Sequence, residues 1–151
     1  MAIQFVVEDG TSKSDATSYA TVAEYKQWLE NRGEATTDSD ATIQARLNVA
    51  AEYVDSFNYI GTKTDIDQAL EFPRIGLVIY DKDEIPREVK NAVFYAAQNY
   101  DDLFTVDSGI RSVSYGPVSK TYAGGTSSKF DYITKSLKKF MITGVPLLRV
   151  N

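Results

Sequence analysis

The 151 residues contain no cysteine and no histidine. Without cysteine there are no disulfides, no thiol nucleophile, no Cys-ligated zinc and no iron–sulfur cluster. Without histidine there is no Ser-His-Asp triad, no imidazole base and no His-ligated metal. What remains for an enzyme is carboxylate-pair, lysine or oxygen-ligand metal chemistry. Long apolar runs are missing too: none approaches the ~20 residues that span a bilayer. Met1 to Phe5 offers neither the basic nor the apolar region of a signal peptide. These absences predict a soluble protein made in the cytoplasm.

What is present is ordinary globular material, with 43% apolar and 25% charged residues. That excludes wholesale disorder, and the length suits one domain. Charge is divided unevenly. Residues 1–108 carry 20 acidic and 9 basic side chains, net −11, whereas residues 109–151 carry seven basic and one acidic, net +6. Such a split points to an interaction surface at the basic end or, equally, to a solvated helix face.

The periodicity predicts a mainly α protein, a small bundle of three to four helices with a short β-hairpin or extended arm. Ile3, Phe5 and Val7 alternate with polar residues, a short strand signal, and Glu8 to Thr17 reads as a loop. Thr21-x-x-Glu24 is a capping box opening a helix whose apolar stripe is Val22, Tyr25, Trp28 and Leu29, with Gly33 closing it. Asp38 or Asp40 can cap a second helix to about Asn58, with a stripe of Ile43, Leu47, Ala50, Ala51, Val54 and Phe57. Asp65 to Leu70 suggests a helical turn, Phe72-Pro73 forces extended backbone, and Leu77 to Tyr80 suggests a strand. Ile85-Pro86 starts a third helix. The alanine pairs Ala50/Ala51 and Ala96/Ala97 predict a close crossing of the two long helices. Ser- and Gly-rich residues 105–128 read as the hairpin or arm. A last amphipathic helix then carries Phe130, Ile133, Leu137 and Phe140 on one face and Lys135, Lys138 and Lys139 off it. Val145 to Val150 forms an apolar tail that should dock on something. The expected organisation is one domain, with a helical body over 1–108 and an arm, docking helix and tail over 109–151.

Candidate chemistry is thin. Thr62-Lys63-Thr64-Asp65 matches a GTPase base-reading motif but has no phosphate loop to accompany it. Gly124-Gly125 near Lys129 fails the same spacing test. Ser136-x-x-Lys139 has the spacing of a nucleophile pair, yet stands alone on a solvated helix. Asp81, Asp83 and Glu84 cluster, but Ile85-Pro86 follows where a calcium loop would continue, so they read as acids suited to a helix N-terminus. Nothing singles out a carboxylate pair for glycoside cleavage. The ten tyrosines and seven phenylalanines could stack on single-stranded nucleic acid, although most fall on helical apolar stripes, where core packing is the simpler role. The expectation is a protein without catalytic residues, metal or cofactor.

An ordered series of short motifs runs the length of the chain. It comprises Val7-Glu8-Asp9-Gly10, Thr17-Ser18-Tyr19, and Val22-Ala23-Glu24, then Tyr59-Ile60-Gly61-Thr62-Lys63. Asp67-Gln68-Ala69-Leu70-Glu71-Phe72-Pro73-Arg74-Ile75-Gly76 follows, then Ile85-Pro86-x-x-Val89-Lys90-x-Ala92, then Phe130-x-x-Ile133 and a tail ending near Arg149. The series resembles small bacteriophage neck proteins, the head–tail connectors or adaptors, a group also described as DnaT-like single-stranded-DNA-binding proteins. Phe72 and Tyr59 stand where that pattern often has or neighbours tryptophan. The resemblance implies a helical adaptor assembling as a ring of copies of itself, expected to be dodecameric, beneath the portal protein of a tailed phage. It would extend the channel for packaged double-stranded DNA and present a platform to the tail or a tail-terminator or stopper protein. Its place would be the virion neck, after assembly in the host cytoplasm. Docking would then fall to Phe130, Ile133, Leu137, Phe140, Leu147, Leu148 and Arg149, steering to Lys135, Lys138 and Lys139, and a structural motif to Gly61, Phe72, Pro73 and Arg74. The alternative is a single-stranded-DNA-binding module using the terminal lysines.

Overall fold

Thr21 and Glu24 cap each other. The Thr21 hydroxyl accepts from the Glu24 N–H at 3.0 Å, and the Glu24 carboxylate accepts from the Thr21 N–H at 2.9 Å. This reciprocal pair satisfies two orphan donors and starts helix α1 (Val22–Asn31) in the computed structural model, which describes residues 3–103 and 130–142. The helix ends where Gly33 takes a positive φ of 76° and donates to the Glu30 carbonyl.

Helix α2 (Asp40–Asp55) begins one residue away from either expected cap: Ser39 accepts from the Thr42 N–H at 3.2 Å. The two aspartates have other partners. Asp38 pairs with Arg46 at 3.0 Å, and Asp40 with Lys26 of α1 at 2.9 Å. The helix stops at Asp55, short of Asn58, because Ser56 and the following turn lead the chain back toward the C-terminal segment. Helix α3 (Arg87–Gln98) takes Pro86 as N-cap, where a missing N–H leaves nothing unpaired.

The most extensive interhelical packing joins α2 to α3. Ala50, Ala51, Ala96 and Ala97 are all fully buried, along with Ile43, Leu47, Val54, Val89 and Val93. Small side chains in both stripes allow the axes to come close while the flanking aliphatics interdigitate. Lys90 of α3 bonds the capping Glu24 at 2.9 Å, fixing α1 across the pair.

Residues 130–137 are helical (α4), followed by a 3₁₀ turn at Lys138–Phe140. Strands β1 (Thr62–Lys63) and β2 (Arg74–Ile75) pair antiparallel, Thr62 opposite Ile75 and Lys63 opposite Arg74. The mainly α fold with a short antiparallel hairpin is therefore observed, but the hairpin lies at 62–75. The segment expected to form one, 105–128, lies outside the described residues.

Two local expectations, the strands at 3–7 and 77–80, are not met, and the turn expected at 65–70 is present. Ile3 to Val7 forms a single parallel bridge, Val7 to Ser18, and no strand. Leu77 to Tyr80 bends, with Leu77 buried and Val78 and Ile79 turned outward. Asp65 to Leu70 is a turn held by the buried Gln68 side chain, which donates to the carbonyls of Leu70 and Pro73. The Phe72–Pro73 peptide is cis.

Candidate functional site

The motif residues 59–61 and 71–74 form a tightly bonded knot. Arg74, only 6% exposed, donates through Nε to the Ile60 carbonyl at 2.8 Å and through Nη2 to the carbonyls of Gly61 and Tyr59 at 2.9 and 3.3 Å. Its Nη1 reaches both the Glu71 carboxylate, at 2.8 Å, and the Glu71 carbonyl, at 3.1 Å. One planar guanidinium therefore closes the turn before β1 onto the turn before β2, a geometry that a point-charge ammonium cannot copy. The Phe72 ring packs edge-on to Tyr59 and Tyr19, with centroids 4.7 and 6.1 Å away. Gly61 has φ of +77°, and a Cβ there would sit 2.0 Å from the Ile75 carbonyl oxygen, so only glycine allows β1 and β2 to meet.

Helix α4 lies against this knot. Ile133, Leu137 and Phe140 are at most 2% exposed, and the Phe140 ring meets Phe72 and Tyr80 at 5.9 Å each. The Ile60 N–H donates to the Phe140 carbonyl at 2.8 Å, and the Ile142 N–H to the Asn58 carbonyl at 3.0 Å. These contacts correct two expectations. The apolar face of the last helix belongs to the chain's own core and is not free to dock elsewhere, and the body does not end at residue 108. The physical reason is local: Phe140 packs on Phe72 and Tyr80, and Ile133 and Leu137 join the same buried core. Phe130 is half-buried beside the Tyr53 ring, 6.2 Å away. Leu147, Leu148 and Arg149 lie outside the described residues.

Lys135, Lys138 and Lys139 are exposed. Lys139 bonds Glu88 of α3 at 2.7 Å, and Glu88 also accepts from the Tyr80 hydroxyl at 2.6 Å. Burial pulls the Glu88 carboxyl upward, but these two donors prevail and hold it below its ordinary value. Among the described residues, neither Lys135 nor Lys138 pairs with a carboxylate.

A second feature was not expected from the sequence. Trp28 of α1, Tyr95 of α3 and Tyr132 of α4 form a row at the surface. Trp28 and Tyr95 meet edge to face with centroids 5.0 Å apart, and Tyr95 and Tyr132 are 4.1 Å apart. The Arg32 guanidinium lies over both Trp28 and Tyr95, 4.7 and 4.8 Å from their centroids. Trp28 and Tyr95 are half-buried and Tyr132 is 45% exposed. Lys135 stands one turn beyond Tyr132 on the same helix face. Partly open rings with a cation across them can accept another flat π system by stacking, with positive charge beside it for a phosphate. The sequence did carry a signal, since Tyr95 and Tyr132 fall off the buried stripes of their helices.

No group of three or more acidic residues that could hold a metal occurs among the described residues. No helix there is long and apolar enough to cross a membrane. Residues 3–148 match the model of a family described as "Putative DnaT-like ssDNA binding protein". The chain belongs to this family. No curated protein and no solved structure matches the chain.

Proposed function

We propose that the protein binds single-stranded DNA and catalyses nothing, seating bases against Trp28, Tyr95 and Tyr132 and phosphates against Arg32, Lys135 and Lys138. The observation that carries the reading is the aromatic row itself: three rings from three helices, partly open, crossed by the Arg32 guanidinium, which also pairs with Glu34, and with exposed Lys135 one turn from Tyr132. The description of the family supports it. The acid excess of the body restricts binding to this face, because phosphates are repelled elsewhere. Anisotropy of a labelled oligothymidine tests it. Binding should weaken linearly in log salt and fall on replacing Lys135 and Lys138 with glutamine. Absence of binding at low salt would overturn the reading.

One observation favours a second reading. A net −11 over residues 1–108 suits a wall past which DNA slides without sticking. Together with the motif series, it supports a structural connector in the neck of a tailed phage. Such a connector would be a ring of this chain under a portal protein, with a tail or stopper protein below and double-stranded DNA passing through. Native mass spectrometry with a portal protein tests this reading. Rings of this chain on the portal support it, and a chain that ignores the portal contradicts it.

A further inference from the structure

The most exposed large apolar side chains of the described residues gather on two adjoining loops. Ile66 is 90% exposed, Val78 93% and Ile79 67%. The loops are joined at their roots by the β1–β2 pairing and by the Thr64 hydroxyl, which donates to the Lys82 carbonyl. Isolated exposed aliphatics are ordinary on a surface, but three this exposed on one tied pair of loops offer apolar area that a partner could cover.

The rim of the patch is acidic. Asp65, Asp67, Asp81 and Glu84 are all exposed, and Lys82 is taken by Asp83 at 3.1 Å. A matching occupant is therefore apolar and positively charged. This chain contains an apolar segment with one cation, Val145-Pro146-Leu147-Leu148-Arg149-Val150, at the end of the 109–151 region of net +6, whose other six bases precede it.

We propose that the 64–67 and 78–84 loops of one copy receive residues 145–150 of a second copy of this chain. Donor and acceptor are different surfaces, so the contact is head-to-tail and repeats into a closed ring or an open filament, as the angle between copies dictates. The opposite charges of the two surfaces favour encounter between copies and make it salt-dependent. The inference deepens the connector reading, on which its biological use rests, by naming the contact between neighbours, and it is separate from DNA binding.

Sedimentation velocity of the full chain tests it, with two double variants alongside. Val78→Ser/Ile79→Ser alters the acceptor, and Leu147→Ser/Leu148→Ser alters the donor. The wild type should form concentration-dependent oligomers that dissociate as salt rises, and each variant alone should be a monomer with a wild-type melting curve. Mixed together, the two variants should form dimers and nothing larger, since one intact donor and one intact acceptor remain. A wild type that stays monomeric, its own tail covering the patch or nothing doing so, would overturn the proposal. So would variants that associate as the wild type does. Portal-templated rings and oligonucleotide binding are separate measurements, so either reading above can survive that failure or fall without it.

Discussion

The Tyr19 hydroxyl donates to the Asp55 carboxylate at 2.5 Å and accepts from the Phe72 N–H at 3.0 Å. Asp55 also accepts from the Glu71 N–H at 3.2 Å. The last residue of α2 is thereby linked to the segment that leads into Pro73 and Arg74. The carboxyl is pushed up to about 7, chiefly by burial, against the two hydrogen bonds that favour its charged form.

That shift sets a pH dependence. The folded state holds a proton on Asp55 that the unfolded chain has already released, between the ordinary carboxylate value and about 7. The contribution to stability is full below that window and is lost as pH rises through it. Asp55→Asn should remove this slope. Between about pH 5 and about pH 8 the wild type should lose on the order of 2–4 kcal/mol relative to the variant. Parallel melting temperatures across that range would contradict the assignment.

Arg74 should be irreplaceable by lysine. Arg74→Lys leaves the carbonyls of Tyr59, Ile60 and Gly61 short of donors. A loss of about 3 kcal/mol in urea unfolding is expected, the scale for breaking a buried charged network. An unchanged midpoint would mean that water satisfies those carbonyls instead.

The paired alanines predict an overpacking cost. Ala50→Leu or Ala97→Leu should lower stability by about 1–3 kcal/mol, because all four alanines are fully buried between α2 and α3. Two variants that melt like the parent would show that the helices part easily at those positions.

Much of this fold was legible in the sequence, wherever signals were local. The Thr21/Glu24 box, the Gly33 stop and the stripes of α2 and α3 each depend on residues within a few positions of one another. Asp38 and Asp40 misled because their partners, Arg46 and Lys26, are chosen by tertiary packing. The burial of Glu8 was not legible either. Glu8 reads as a loop residue, yet it is 1% exposed and accepts from the N–H groups of Gly10, Ser12 and Lys13 at 2.8 Å each. The position of Tyr95 and Tyr132 off the buried stripes was legible, but their meeting with Trp28 was not, because the three are far apart in the chain and only the packing of three helices makes them neighbours.

The place of α4 also follows from packing. A docking helix and a core helix carry the same amphipathic pattern, and only the ring of Phe140 against Phe72 and Tyr80 separates them. Leu137→Ala should therefore destabilise the whole chain by about 2–5 kcal/mol. A variant with wild-type stability would return the helix to a docking role.

Trp28 is the only tryptophan in the chain, and it stands in the proposed base-stacking row. Its fluorescence during titration with oligothymidine at low salt is the most direct measure of the account. Stacking of a base should quench the emission in step with binding, and Tyr132→Ala should weaken the affinity about 5- to 100-fold, the span of one lost stacking contact. Emission that stays constant at saturating oligonucleotide, or full affinity in Tyr132→Ala, would contradict the account.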